Sequence, residues 1–261
     1  MNYTLIGTGN MAYFLADRFR KAGFVCKGVY GRNATEAQAL ATMLECIVIE
    51  QPGTIPDTHD CCIMAISDHA IKEVSSRLHF ENTVVVHTAG SVSLDAVLQP
   101  HKAALWPIYS ILKNNLPDHR DLPVVCESQD EKAKNSVLQL AHALSDHVRE
   151  VSWQQRQYMH LIAAIENNFI NHLMAIGKQL CTDQHIPFEL FLPILNQTFE
   201  RIHTADPYEL QTGAARRNDM KTQQHHLELL QQYPKWQAIY QAISESIKDM
   251  YIPTGNKERK D

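Results

Sequence analysis

The sequence predicts an α/β fold in which a doubly wound, mostly parallel sheet is followed by an all-α half. Three observations carry this. Unbroken apolar runs such as Cys61-Cys62-Ile63-Met64-Ala65-Ile66 and Thr83-Val84-Val85-Val86-His87 read as strands covered on both faces. Helical patterns alternate with such strands up to about residue 152. From Trp153 onward strand signals stop and four helical patterns follow.

The first strand begins at Asn2 or Tyr3 and runs through Thr4-Leu5-Ile6 into Gly7-Thr8-Gly9-Asn10-Met11-Ala12, a G-x-G-x-x-A loop. Gly7 permits a tight turn, Gly9 lets a pyrophosphate approach the backbone, and Ala12 lets the next helix, Met11–Ala22, pack closely on the sheet. The free N–H groups at that helix start suit phosphate. The pattern is that of a Rossmann-like dinucleotide-binding domain. The next strand, Phe24–Tyr30, is followed by Gly31-Arg32-Asn33, where NAD-binding versions carry an acid for the ribose 2′-hydroxyl. Here Arg32 stands instead. A guanidinium pairs bidentately with phosphate, so NADP is the expected cofactor, with a solvated loop arginine as the alternative. The missing acid also argues against S-adenosylmethionine.

Helix Ala34–Leu44, strand Cys46–Ile49, the Cys61–Ile66 strand and helix Ala70–Leu78, capped by Ser67-Asp68, come next. A short helix, Val92–Leu98, follows the Thr83–His87 strand. Ala103–Ile111, Leu122–Cys126 and His147–Val151 read as further strands, with helix Glu131–Leu144 before the last. Ligands of open α/β sheets lie beyond the carboxyl ends of the strands. That rule singles out Ile66-Ser67-Asp68, His87-Thr88-Ala89-Gly90-Ser91 and Trp106-Pro107-Ile108-Tyr109-Ser110, each of which would otherwise be an ordinary capped turn. In the helical half, Gln154–Cys181, Phe188–His203, Arg217–Gln231 and Lys235–Met250 are the expected helices. Pro193 either kinks the second or marks its true start. Pro253–Asp261 is polar and charged, and is expected to fray. The expected domains are residues 1–152 and 153–261.

Composition bounds the function. The 261-residue chain is 44% hydrophobic and 20% charged, with a net charge of −5. Nothing in that balance favours nucleic acid or an anionic membrane, and no run approaches the ~18 apolar residues of a membrane span. A strand starting at Asn2 or Tyr3 leaves no room for a signal peptide. The six cysteines, at 26, 46, 61, 62, 126 and 181, form no C-x-x-C pair and are expected to be reduced core residues of a cytoplasmic protein. No metal site is expected: His225 and His226 are neighbours on different helix faces. No G-x-S-x-G elbow or Walker loop is present.

The N-terminal part resembles the NADP-binding domain shared by pyrroline-5-carboxylate reductases and deazaflavin-dependent NADP reductases. Adding the segments His87–Ser91, Ile165–Leu173 and Leu210–Asp219, nearly the whole chain is similar to a family that joins a Rossmann-like domain to a helical domain of unknown function. The resemblance implies the two-domain fold, NADP, and dimerisation through the helical half. It implies no substrate.

The long helix is a second place for chemistry. Asn168 and His172 are four apart, with His160 and Ala164 on the same stripe; Asn167 and Asn171 form another pair. In the related β-hydroxyacid dehydrogenases a lysine four residues before the asparagine acts in proton transfer. Here the corresponding residues are Ala163 and Ala164. Histidine, which titrates near neutral pH, is the substitute, either His172 or His87. The alternative is that the asparagines only tie helices together. Arg216, in Thr212–Asp219, would meet a substrate carboxylate or phosphate, or else form a local salt bridge with Asp219 at a helix start. Tyr109 is the other substrate candidate. Two functions remain open: an NADP(H)-dependent oxidoreductase acting on a small carbonyl or imine, and an NADP-binding module without turnover.

Overall fold

The computed structural model describes residues 1–252; the tail expected to fray, Pro253–Asp261, lies outside the described residues. The chain forms two compact units, Met1–Asn168 and Phe169–Asp261.

The first unit holds eight strands: β1 (Asn2–Ile6), β2 (Val25–Tyr30), β3 (Ile47–Val48), β4 (Cys61–Met64), β5 (Val84–His87), β6 (Lys102–Pro107), β7 (Val124–Ser128) and β8 (Val148–Glu150). They make one sheet in the order β3-β2-β1-β4-β5-β6-β7-β8. All neighbours are parallel except β6 and β7. Six strand ends therefore share one edge: those of β1 to β6.

The reason these runs are strands is visible in the packing. Along β4, Cys61 and Ile63 join one apolar cluster while Cys62 and Met64 join the other. Along β5, Val84 and Val86 face the first cluster and Val85 the second. That is the period of two that a pleated strand imposes, buried on both faces. Helices α1 (Asn10–Lys21), α2 (Ala34–Met43) and α4 (Glu131–Leu144) supply Phe14, Leu15, Phe19, Leu40 and Leu140 to the first cluster, and α3 (Ile71–Ser75) supplies Ile71 to the second. Each such fully buried side chain contributes about 1.5–3 kcal/mol. Helix α5 (Trp153–Ala163) also belongs to this unit. All six cysteines are free thiols, five of them buried.

Several expected elements are shorter than their patterns. The helix expected over Ala70–Leu78 is a 3₁₀ turn, Asp68–Ala70, followed by α3, and Ser67 makes no side-chain cap hydrogen bond. Val92–Leu98 is reduced to a 3₁₀ turn at Leu94–Ala96. The strand after Ala103 stops at Pro107 rather than Ile111. In each case apolar spacing persists beyond the point where backbone pairing ends.

The helix expected over Gln154–Cys181 is α5, then a π-helical stretch, Ala164–Phe169, then α6 (Ile170–Asp183). The second unit continues with α7 (Leu192–Arg201), α8 (Pro207–Leu210), α9 (Met220–Leu229) and α10 (Pro234–Tyr251). Pro193 lies in the first turn of α7, where its missing N–H costs nothing, so it marks the true start. α9 begins at Met220 because Asp219 caps it, accepting from the Thr222 N–H at 3.0 Å and its hydroxyl at 2.7 Å. Arg216 is not ion-paired with Asp219; its guanidinium lies over the Tyr251 ring, 5.0 Å from the centroid. The local salt bridge, the alternative to a substrate contact for Arg216, is thereby replaced by a cap and a cation–π contact.

Candidate functional site

The turn after β1 is forced by close packing. Gly7 has φ +125°, and a Cβ there would lie 2.0 Å from the Ala65 carbonyl oxygen. Its N–H donates to the Tyr30 carbonyl at 2.8 Å, which draws the ends of β1 and β2 together. Gly9 is the N-cap of α1, with no side-chain cap bond and no acid in the first turn. A Cβ on Gly9 would meet nothing within 4 Å. The helix start thus offers unsatisfied N–H groups and its positive dipole end to open space, which is what a diphosphate requires.

That space is a cleft of about 630 Å³. Gly7, Thr8, Gly9, Asn10 and Met11 line its base, and Gly31, Arg32 and Asn33 line one side. Ile66, Ser67 and Thr88 line the end toward β4 and β5. Asn33 Oδ1 caps α2 by accepting the Glu36 N–H at 3.1 Å, whereas Arg32 has no hydrogen-bond or ion-pair partner among the described residues. Glu36 is engaged by Lys113 at 3.0 Å and by the Tyr13 hydroxyl at 3.0 Å, and the Lys113 bond holds its carboxyl below the usual range. The opposite wall is α3 and its flanks: Ala70, Glu73, Val74 and Arg77, with Arg77 paired to Glu73 at 2.5 Å. These residues fit an adenine nucleotide carrying an extra phosphate. Sequence reasoning missed the α3 wall and the Lys113–Glu36 pair, although the helical spacing of Ala70, Val74 and Arg77 was there to be read.

The remaining expected residues on this edge behave differently. The Asp68 carboxylate accepts from the Ser91 hydroxyl and does not line the cleft. His87 is fully buried; its Nδ1 accepts the Ala89 N–H at 3.3 Å and its Nε2 has no partner. Burial, reinforced by the Arg156 guanidinium, pushes the imidazole down to about 3, so the ring is neutral at physiological pH. Gly90 sits where a Cβ would come within 2.6 Å of His160 and 2.7 Å of Trp106.

The loop carrying these residues is held by a side chain that sequence reasoning did not single out. Arg156, from α5, is 0% exposed. Its Nη1 donates to the Ala89 and Gly90 carbonyls at 2.8 and 3.2 Å. Its Nε and Nη2 donate to Glu127 Oε2 at 2.9 and 2.7 Å. The Trp153 ring covers it at 4.7 Å. Nothing local marks such a residue, because its partners are 29 and about 66 positions away.

A second cavity of about 620 Å³ lies beyond that loop. Trp106, Ile108, Tyr109 and Ser110 come from the end of β6, His160, Ala163 and Ala164 from α5 and the start of the π stretch, and Glu166, Asn167 and Asn168 from the stretch itself. The structure therefore brings Tyr109 and Asn168 into one cavity. Asn167 donates to Asn168 Oδ1 at 3.0 Å, and both are exposed, so the asparagines bond to each other rather than tying helices together. His172 and Arg216 belong to the second unit. The four-residue spacing used to align Asn168 with His172 assumes an α-helical step, and the π stretch widens that step. Among the described residues no group of three or more His, Cys, Asp or Glu could hold a metal ion, and no helix is long and apolar enough to cross a membrane.

Among curated protein sequences, none matches the chain. Among solved structures, a candidate NADP oxidoreductase from Bacteroides fragilis is 28% identical, with 95% of this chain and 98% of that chain covered and a TM-score of 0.83. An imine reductase from Myxococcus stipitatus in complex with NADP+ is 15% identical, covering 95% and 93% with a TM-score of 0.66. The 1-pyrroline-5-carboxylate reductase of Streptococcus pyogenes is 14% identical, covering 95% and 98% with a TM-score of 0.60; at that identity the likeness is one of fold. Residues 2–90 match the family described as NADP oxidoreductase, coenzyme F420-dependent, which supports an oxidoreductase role in general. Residues 122–247 match a domain of unknown function, DUF2520. The chain thus joins an N-terminal NADP-binding Rossmann domain of the coenzyme F420-dependent NADP oxidoreductase type to a C-terminal DUF2520 domain.

Proposed function

We propose that this protein is an NADP(H)-dependent oxidoreductase that passes hydride between the nicotinamide and a small carbonyl or imine. The single observation that carries the reading is the unpaired Arg32 beside an open, uncapped helix start in one cleft. Backbone N–H groups from Gly9 to Met11 would take the diphosphate, Arg32 and Asn33 the 2′-phosphate ribose, and Ser67 and Thr88 the nicotinamide ribose. The dinucleotide supplies the redox chemistry when bound; the chain supplies position. The His87–Ser91 loop, clamped by Arg156, has Thr88 on the cofactor cleft and Gly90 against Trp106 and His160 of the second cavity. The second cavity is accordingly the substrate site of this reading, with Tyr109 and Asn168 as orienting groups.

The helical half is the proposed homodimer interface, supported by its exposed apolar side chains, among them Leu190 at 68% and Ile194 at 61%. Free thiols throughout fit a cytoplasmic setting.

Two observations favour the alternative, a module that binds NADP without turnover. No lysine lines the second cavity, and His87 is sealed and neutral. Absorbance at 340 nm decides between the two, with NADPH mixed with a panel of cyclic imines, aldehydes and keto acids. Oxidation with at least one substrate is the expected result. Tight NADPH binding with no oxidation across the panel would establish the module instead.

A further inference from the structure

The chemistry of the second cavity narrows what can enter it. Its one charged lining residue is Glu166, and neither lysine nor arginine lines it. The Glu166 carboxylate has no hydrogen-bond or ion-pair partner among the described residues. Trp106 and Tyr109 add aromatic rings, with the His160 ring 5.5 Å from that of Trp106 and tilted by 49°. The carboxylate sits in the π-helical stretch, a distortion that displaces residues from regular α-helical register and is frequent at functional sites. An unpaired carboxylate beside aromatic rings attracts a cation through charge and ring quadrupole together, and repels an anion.

We infer that this cavity binds an organic cation, a small iminium or the corresponding secondary ammonium, with Glu166 as its counter-charge. The inference rests on the proposed oxidoreductase reading and separates the substrate classes that reading leaves open. A keto acid would bring a second negative charge toward Glu166. A neutral aldehyde gains nothing from it and needs a proton delivered to oxygen. An iminium needs no acid. Its carbon accepts hydride from the dihydronicotinamide, the C=N π pair becomes the nitrogen lone pair, and the dinucleotide is left oxidised. No proton enters or leaves, so the absence of a lysine and the sealed state of His87 are no obstacle. Glu166 binds and places the substrate and takes no part in proton transfer.

The test has a binding arm and a turnover arm on the full chain. Tryptophan fluorescence, without dinucleotide, follows titration with 1,2,3,4-tetrahydroisoquinolinium, with neutral tetralin and anionic phenylpyruvate as comparisons. The cation should bind best, and Glu166→Gln should weaken it about tenfold or more, equivalent to about 1.4 kcal/mol, while leaving tetralin unchanged. In turnover, N-methyl-3,4-dihydroisoquinolinium, which carries its charge permanently, should be reduced by NADPH, with Glu166→Gln raising its KM about tenfold or more. The inference is overturned if phenylpyruvate binds as well as the cation, or if Glu166→Gln leaves cation affinity intact. The two readings fail separately. Loss of NADPH binding with Glu166-dependent cation binding sinks only the oxidoreductase; NADPH binding with no cation preference sinks only this inference.

Discussion

The two compact units are built on different terms. In the first, apolar strands and helices bury one another completely, from Tyr3, Phe14 and Phe19 through Ile63 and Met64 to Leu105 and Leu140. In the second, the buried apolar side chains among the described residues are Cys181 and Ala215. Leu173, Ile186, Leu190, Phe191, Ile194, Phe199, Leu229 and Met250 all stand at least two-fifths exposed. A helical unit of that size with so few fully buried apolar side chains offsets little of its conformational entropy through its own contacts. The sheet unit is determined by its own sequence, and its glycine loop and Arg156 clamp are consequences of that packing. The helical unit carries its apolar surface outward, which is the physical basis for proposing that a second copy completes it.

The largest expected effect falls on the clamp. Arg156→Ala leaves Glu127, 14% exposed, without its partner and frees the Ala89 and Gly90 carbonyls. A loss of about 3–5 kcal/mol is expected in urea unfolding, with Arg156→Lys intermediate because it retains charge but not the fork. A loss under about 1 kcal/mol would show that the loop does not depend on it. Next is Gly7→Ala, where the added Cβ meets the Ala65 carbonyl in a left-handed backbone. About 3 kcal/mol or more of destabilisation is expected, against no change for Gly9→Ala, whose Cβ meets open space. Equal destabilisation by the two would break the account of the turn. The binding consequence should be reversed in kind: Gly9→Ala folds but loses dinucleotide affinity.

A smaller, pH-dependent effect belongs to His87. Its folded value, about 3, lies below the ordinary value of 6.5 for an unfolded histidine. The stability this group contributes is therefore fully present above about 6.5 and is lost progressively as pH falls toward 3. Melting temperature measured from pH 7 to pH 4 should fall more steeply for the native protein than for His87→Asn. Parallel slopes would mean that the imidazole takes up its proton without unfolding.

The second unit should answer differently. Leu190→Ser with Ile194→Ser removes apolar surface that is 68% and 61% exposed. If water covered that face, stability would move by no more than about 0.5 kcal/mol and sedimentation would not change. The proposed dimer requires instead that the native chain sediment as a dimer and the double variant as a monomer. An unchanged dimer would exclude this part of the helical face from the interface.

Much of the sheet unit was legible because its signals are local. Strand existence, strand type and the glycine loop follow from short-range pattern, and the expected helix Glu131–Leu144 coincides with α4. What escaped depends on distance or on backbone detail. The Arg156–Glu127 pair joins residues from separate elements, and an arginine in the first turns of a helix carries no mark of burial. The α3 wall was hidden by reading the Ser67-Asp68 turn as a simple cap, when Asp68 bonds Ser91 instead. The π stretch leaves apolar spacing nearly intact, so periodicity alone reads through it. His87 looked like a proton carrier because the sequence shows a titratable residue at a strand end, but not that the strand end is closed over it.

The most direct test of the central claim is a pair of titrations, NADPH and NADH, against the native chain and Arg32→Ala. One charge-assisted phosphate contact is worth about 1.5–3 kcal/mol. The account predicts that Arg32→Ala weakens NADPH by about 10- to 100-fold and leaves NADH within about twofold. Equal losses for the two dinucleotides, or no preference for NADPH in the native chain, would contradict it.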